Sequence, residues 1–429
     1  MNNQQPASLK TSSLPGPQDI SRQVLENGIT LLVRPNFNTL SVSVAGYLLA
    51  GSLYEPVEKL GLADFTASTL MRGTEKRSFE DIYNNLESIG ASLSFSGGTH
   101  TSGFSGKSLA DDLETLLSIL AEGLRFPVFP EAHAERIRSQ HLTGLDLRAQ
   151  DTSEMAELVF DELTYQDHPY QYPGDGFPET IAKISREDLI QFHENHYGPR
   201  QMVIALAGAV EPEHAHSLVQ EVLGDWSNPS QPEEITVPPA PSLEKIIKRH
   251  FTIPEKSQSD LVMGAAGPSR CSPDFFPAIL GNNVLGQFGM MGRIGDAVRT
   301  KAGLAYYAYS SVSSSIGPGP WTVSAGVNPD NLEKTIQLIR GEIQKFIAEP
   351  VQEEELQDSK SSYIGKLPLA LESNAGVTSA LLNLERYQLG LDYYQRYQDL
   401  IHEVTRDQVL EIARKYLHPD RLVIATAGP

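Results

Sequence analysis

The spacing of apolar and polar positions changes period several times along the chain. From Ser21 the runs LENGITLLVRP and SVSVAGYLLAG, rich in Val, Leu and Ile, predict two adjacent strands, the second closed by Gly51. Gly61 to Thr74, GLADFTASTLMRGT, predicts a short apolar helix ended by Gly73. Phe79, Ile82, Tyr83, Leu86 and Ile89 then recur at helical spacing behind Ser78, a capping residue with Asp81 three positions on. Ala91 to Gly106 is Ser- and Gly-rich and predicts a strand pair. Leu109 to Leu124 predicts a helix, Arg125 to Pro130 a loop, and a further helix starts near Glu131 and runs towards Gln150. Asp161 to Pro178, rich in Tyr, Pro and Gly, predicts a long irregular loop. A helix capped by Ser185 runs to Tyr197, and Met202 to Ala207 is a strand.

That last helix and strand occur twice. SREDLIQFHENHYGPRQMVIALAG from Ser185 aligns without a gap to TRDQVLEIARKYLHPDRLVIATAG from Thr405. Arg186/Arg406, Pro199/Pro419, Val203/Val423, Ile204/Ile424, Ala205/Ala425, Ala207/Ala427 and Gly208/Gly428 are identical. A weaker match sets SLADDLETLLSIL from Ser108 against NPDNLEKTIQLI from Asn328. Two units of about 200 residues are domain-sized, so a duplicated domain explains the repeat better than a solenoid. Between the units, SNPSQPEEITVPPAP from Ser227 holds five prolines and no apolar period, and reads as an extended linker. The resulting division is a polar tail over 1–20, a first domain over 21–226, the linker over 227–245 and a second domain over 246–429. Strand runs followed by helix runs, without βαβ alternation, predict an α+β class, with two homologous α/β-sandwich-like domains each built as a mixed sheet covered by helices.

Composition narrows the function classes. A formal charge of −20 over 429 residues disfavours nucleic acid and anionic membranes as partners and is compatible with basic peptides. Cys271 is the single cysteine, which rules out a disulfide framework and suits a cytoplasmic setting. The opening MNNQQPASLKTSSLPGPQD shows neither the apolar core of a secretory signal nor an arginine-rich transit pattern, and it predicts a poorly ordered tail.

Several candidate motifs dissolve on inspection. His193, Glu194 and His196, in HENH, lack the spacing that puts two histidines on one helix face, and their repeat partners are Ala413 and Tyr416. His214 and His216 lie in a polar stretch. Gly106, Lys107 and Ser108 end like a phosphate loop, but Thr101 stands where its first glycine belongs. GNNVLGQFGMMG from Gly281 fits close backbone packing or substrate access rather than a dinucleotide fingerprint.

GRIGDAVRTKAGLAYYAYS, from Gly292, is more informative. Ile294, Ala297 and Val298 make the apolar stripe of a helix, Gly303 ends it, and Leu304 to Ser310 reads as a strand. Arg299, a fixed cation, and Tyr306, a neutral donor, are suited to a peptide carbonyl and its developing oxyanion. The same spacing also suits a surface arginine and a half-buried core tyrosine.

VRTKAGLAYYAYS resembles the second-domain signature of the pitrilysin, insulinase and mitochondrial processing peptidase family of zinc peptidases. In that family an arginine and a tyrosine seven residues apart contact substrate beside a zinc held by another domain, and Arg299 and Tyr306 match the pair. GLADFTASTLMRGT is similar to the family's zinc-binding segment, which in active members reads close to G-L-A-H-F-L-E-H-x-L-F-K-G-T. Gly61, Leu62, Ala63, Phe65, Gly73 and Thr74 keep its frame. Asp64 and Ser68 stand at the two histidine positions of H-x-x-E-H, and Ala67 at the general base. A serine hydroxyl is a poor zinc ligand and alanine cannot take a proton. The family's downstream glutamate falls near His141 to Gly144, with Thr143 and Gly144 at the carboxylate place.

The resemblance implies two domains facing each other across a chamber, with peptide between them. It implies no cofactor in this chain, and zinc in a homologous partner subunit carrying H-x-x-E-H. The chain would then be the non-catalytic subunit of a bacterial-type heterodimeric metallopeptidase, inactive alone and supplying Arg299 and Tyr306 in trans. A homodimer of the isolated chain, a structural core-type subunit, and a peptide-binding protein without hydrolysis are the alternatives.

Overall fold

The computed structural model describes residues 14–429. The first half runs through β1 (Ser21–Val24), β2 (Thr30–Pro35), β3 (Ser41–Leu48), α1 (Leu62–Thr69), α2 (Phe79–Ser88), β4 (Ser92–Gly97), β5 (Ser102–Leu109), α3 (Leu113–Arg125), α4 (Glu131–Arg148), α5 (Thr152–Thr164), α6 (Pro178–Ile181), α7 (Arg186–His196), β6 (Val203–Gly208) and α8 (Pro212–Leu223). The second half runs through β7 (Ile247–Thr252), β8 (Ser259–Ala266), α9 (Phe275–Gly286), α10 (Phe288–Gly295), β9 (Ala305–Val312), β10 (Pro320–Val327), α11 (Leu332–Ala348), α12 (Glu353–Ala370), α13 (Asn374–Arg386), α14 (Tyr393–His402), α15 (Arg406–Tyr416) and β11 (Val423–Gly428). No described helix is long and apolar enough to cross a membrane.

The duplication extends to topology. The first sheet has the order β1-β2-β6-β3-β5-β4, the second β7-β11-β8-β10-β9. In both, the last strand of the half inserts between two earlier ones, β6 between β2 and β3 and β11 between β7 and β8, parallel to the first of each pair and antiparallel to the second. With β1 set aside, the two sheets are the same. The repeated arginines also do the same work. Arg186 donates to the carbonyls of Phe129 and Val128, and Arg406 to that of Val351, tying α7 to the α3–α4 loop and α15 to the equivalent α11–α12 loop.

The first two long strands are therefore not neighbours, contrary to the sequence expectation. β6 separates β2 from β3 because all six of its residues are buried, and such a strand belongs inside a sheet rather than at its edge. β2 pairs on its other side with β1, through the tight turn at Asn27 and Gly28.

Each sheet has two faces to cover, and each half covers only one by itself. α1, α3, α7 and α8 close one face of the first sheet, and α9, α11, α12 and α15 the matching face of the second. The opposite faces are covered crosswise. α5, from the first half, buries Ala156, Val159, Phe160 and Leu163 against Val262, Val423, Ala425 and Ala427 of the second sheet. α13, from the second half, buries Val377, Ala380, Leu381 and Leu384 against Tyr47, Val203, Ala205 and Ala207 of the first. Each large apolar side chain so buried contributes about 1.5–3 kcal/mol.

Two sequence expectations need correction here. The irregular loop expected from Asp161 starts only after Thr164, because α5 continues to that point. Asp151 caps α5, accepting from the Ser153 and Glu154 amides. Residues 1–13 of the expected tail lie outside the described residues, but 14–20 are not a loose tail. Leu14 and Ile20 are buried in the cluster that α13 closes.

Further contacts join the halves. Tyr165 Oη donates to the Pro318 carbonyl at 2.9 Å. Tyr170 Oη accepts from the Gly317 amide and lies 2.7 Å from His100 Nε2. Arg22 and Glu385 form an ion pair at 2.6 Å. Residues 227–246 form neither helix nor strand.

Close packing of α9 on β9 fixes the strand that carries Tyr306. A Cβ on Gly286 would stand 2.3 Å from the Ser310 amide nitrogen, so only glycine fits. Gly286→Ala should cost about 1–3 kcal/mol in urea unfolding. Gly341→Ala, in α11 with open space around the position, should instead stabilise the chain by about 0.5–1 kcal/mol. Equal midpoints for the two variants would contradict this packing.

Candidate functional site

α1 keeps the frame of a metal-binding helix without its donors. Glu55 holds its N-terminus, each carboxylate oxygen accepting one amide, Gly61 at 2.9 Å and Ala63 at 2.5 Å. An acid there complements the positive end of the helix dipole. Ala67 is buried and Ser68 half-buried. Asp64, half-buried, accepts from the Gly97 amide of edge strand β4 at 3.2 Å.

The downstream helix contributes a residue to this place from within the expected stretch, but not from Thr143 or Gly144. Thr143 and Gly144 are exposed on α4. His141, two to three residues earlier and so on another face of the helix, faces Asp64, with Nε2 3.8 Å from Oδ2. Phe65 packs its ring 5.2 Å from that imidazole. Burial raises the Asp64 pKa, and the neighbouring imidazole opposes the rise. Burial lowers that of His141, with Asp64 and Asp175 opposing. Burial also pushes Glu55 up to about 7, against the two amides that favour its charged form.

This donor set does not fit zinc. Asp64 and His141 are two potential ligands, Glu55 is occupied by backbone amides, and Ser68 and Ala67 add no strong donor. Among the described residues no three His, Cys, Asp or Glu side chains are grouped to hold a metal. The pairing of Asp64 with His141 was not anticipated from sequence. Glu55 was missed as well, because it lies seven residues ahead of Leu62, outside the window in which a capping residue is read from sequence.

Arg299 and Tyr306 lie in the other half. α10 runs into a single π-helical turn, Asp296–Lys301, which carries Arg299; such turns are frequent at functional sites. The Gly303 amide donates to the Arg299 carbonyl and the Leu304 amide to that of Val298, joining helix end to strand start. Arg299 is exposed. Tyr306, on β9 at the open edge of the second sheet, is 84% exposed, so it is no core tyrosine. Neither side chain makes a hydrogen bond or ion pair with another described residue. None joins this pair to Asp64, Ala67 or Ser68.

The remaining candidates are structural. His193 Nε2 lies 2.8 Å from the Leu124 carbonyl, and burial pushes its pKa down to about 4. His196 Nδ1 contacts the Phe192 carbonyl of its own helix. His214 is exposed and His216 half-buried on α8. Gly106, Lys107 and Ser108 lie within β5 rather than a phosphate loop. A groove of about 600 Å³ runs between the linker at Val237 to Leu243 and Tyr416, His418 and Arg421, away from all of these residues.

The sequence profile of the insulinase family, peptidase family M16, matches residues 32–173, and that of the peptidase M16 inactive domain matches residues 183–363. The chain belongs to the insulinase family of peptidases. Within M16 it is 24% identical over 404 residues to the zinc protease YmxG of Bacillus subtilis, spanning 94% of this chain and 96% of that one. It is 27% identical over 390 residues to the beta subunit of the mitochondrial-processing peptidase of Saccharomyces cerevisiae, spanning 86% and 81%. A peptidase M16 inactive domain structure from Pseudomonas fluorescens superposes with a TM-score of 0.87 at 26% identity, over 96% of this chain and 98% of that one. These similarities bear out the family and the two-sheet fold expected from sequence.

Two outcomes follow for this M16 chain. Elemental analysis after purification in zinc-containing buffer and desalting should find zinc well below one per chain; a stoichiometric ion lost in Asp64→Ala would contradict the donor analysis. The second concerns Glu55. A pKa of about 7 in the folded state, above its unfolded value, means the folded chain holds a proton that the unfolded chain releases. The stability this group provides is complete below its unfolded pKa and is lost as pH rises through about 7. Between pH 5 and 7, unfolding free energy should therefore fall with pH more steeply in the wild type than in Glu55→Gln. The difference should reach at most about 1.4 kcal/mol per pH unit. Parallel profiles would show an ordinary carboxylate.

Proposed function

We infer that this chain is the non-catalytic, peptide-binding subunit of a two-chain zinc endopeptidase. A homologous partner carrying H-x-x-E-H holds the metal and general base in this reading. This chain supplies Arg299 and Tyr306 across the interface.

The observation that carries the reading is an asymmetry within one chain. The substrate-side pair is intact, exposed and without a partner among the described residues, while the metal side has lost its donors. A structural role alone gives no reason to keep an exposed tyrosine beside an unpaired arginine. The open edge of β9 adds unpaired backbone groups next to Tyr306, which suit an extended peptide lying alongside. The yeast relative is by name one subunit of a processing peptidase, which is consistent with a two-chain arrangement.

In the site so composed, Tyr306 would donate a hydrogen bond from its phenolic hydroxyl to the oxyanion that develops on the peptide carbonyl. Arg299 holds a backbone carbonyl of the peptide. Zinc on the partner supplies Lewis-acid activation.

The test is steady-state cleavage of a fluorogenic peptide by the mixed complex, with assembly checked by size. Tyr306→Phe removes one hydroxyl and little volume, and should lower kcat by about 10²–10³. Arg299→Ala should lower kcat and also raise KM, because a fixed cation binds the ground state as well. If both variants assemble and cleave like wild type, the pair has no catalytic role in trans and the structural reading replaces this one.

A further inference from the structure

Tyr306 owes its exposure to a fault in strand pairing. Along β9 and β10, Ala308 pairs with Ala325, and Tyr307 with Gly326, but Val327 pairs with Ala305. Tyr306 is left opposite nothing, as the extra residue of a β-bulge. In an unbroken register it would stand opposite Val327, which is 2% exposed and packs into the helix-covered core. Bulges re-aim side chains in this way, but they disrupt the ladder and need something to hold them.

An anchor lies at the next residue. Asp260 on β8 is 1% exposed and forms no ion pair with another described residue. Its carboxylate is satisfied by neutral donors instead. Tyr307 Oη donates to Oδ1 at 2.5 Å, Gln258 Nε2 lies 3.0 Å from both oxygens, and Thr152 Oγ1 at the start of α5 donates to Oδ2. Asp260 and Tyr307 sit on strands separated by β10, and Gly326 lies between them. A Cβ on Gly326 would meet Tyr307 Cε1 at 2.5 Å and Asp260 Oδ1 at 2.8 Å. The missing side chain is what lets the carboxylate reach over the middle strand to the phenol. A buried carboxylate that loses donors is expensive, so this network resists a slip of β9 by one residue.

We propose that Asp260 and Tyr307 are positioning residues for Tyr306: by fixing Tyr307 they hold the bulge that presents the neighbouring tyrosine at the sheet edge. The proposal rests on the reading that Tyr306 meets substrate, but the anchoring itself is testable in the isolated chain.

The experiment places 3-fluorotyrosine at position 306 and records fluorine NMR spectra of the full chain. Wild type should give one narrow line. Tyr307→Phe and Asp260→Ala should give a shifted and broadened line or two lines, as the bulge exchanges with the regular register. Asp260→Asn, which keeps an oxygen to accept from Tyr307, should restore the single line. In the mixed complex with unlabelled tyrosine, Tyr307→Phe should lower kcat about ten- to a hundredfold at unchanged KM. A single unshifted line in both Tyr307→Phe and Asp260→Ala overturns the proposal, as does a KM increase with kcat unchanged. If Tyr306→Phe itself leaves cleavage intact, it is the functional reading that fails, and the fluorine spectra still decide the anchoring.

Discussion

A β-sheet has two faces, and each half of this chain closes only one face of its own sheet, sending a helix to the other half's sheet. The crosswise packing of α5 on the second sheet and α13 on the first answers that constraint. Because the inner face of each sheet is closed by the other half, the two domains are not independent bodies joined by a linker. The relation between the edge strands β4 and β9 is set by the same packing. α5 also brings Thr152 to Asp260, so the crosswise helix reaches the network beneath Tyr306.

The place beside α1 pairs an acid with an imidazole in half-buried surroundings. Asp64 and His141 face each other, and burial moves each away from its charged form while the other opposes the move. α1 is held in place by contacts within the chain. Glu55 fixes the start of α1, and Phe65 and Ala67 are packed in the core. In the other half, the Arg299 and Tyr306 side chains face solvent.

How far the sequence reveals this depends on the range of the interaction. The capping boxes at Ser185 and Thr405, the repeated arginines and the ends of α7 and α15 are local, and all were legible. α5 was equally legible in principle, from Asp151 and the spacing of Ala156, Val159, Phe160 and Leu163, yet most of it was assigned to no element and only its last residues, from Asp161, were placed in a loop. Strand order was not legible, since the insertion of β6 between β2 and β3 is decided by burial rather than by proximity in the chain. The bulge at Tyr306 was hidden for another reason. Strand periodicity assigns alternate residues to alternate faces, and only the pairing with β10 shows that one residue has dropped out of register. Likewise Asp64 and His141 meet through the packing of α1 on α4, which no local pattern encodes.

The central claim is that one peptidase site is divided between two chains. Its most direct test is recovery of the tagged full-length chain from the cells that make it, followed by identification and metal analysis of the intact complex. The account predicts an equimolar complex with a second, homologous chain carrying H-x-x-E-H, and one zinc per pair. Recovery of the chain only as a monomer or homodimer, or with a companion that lacks the motif, would contradict it.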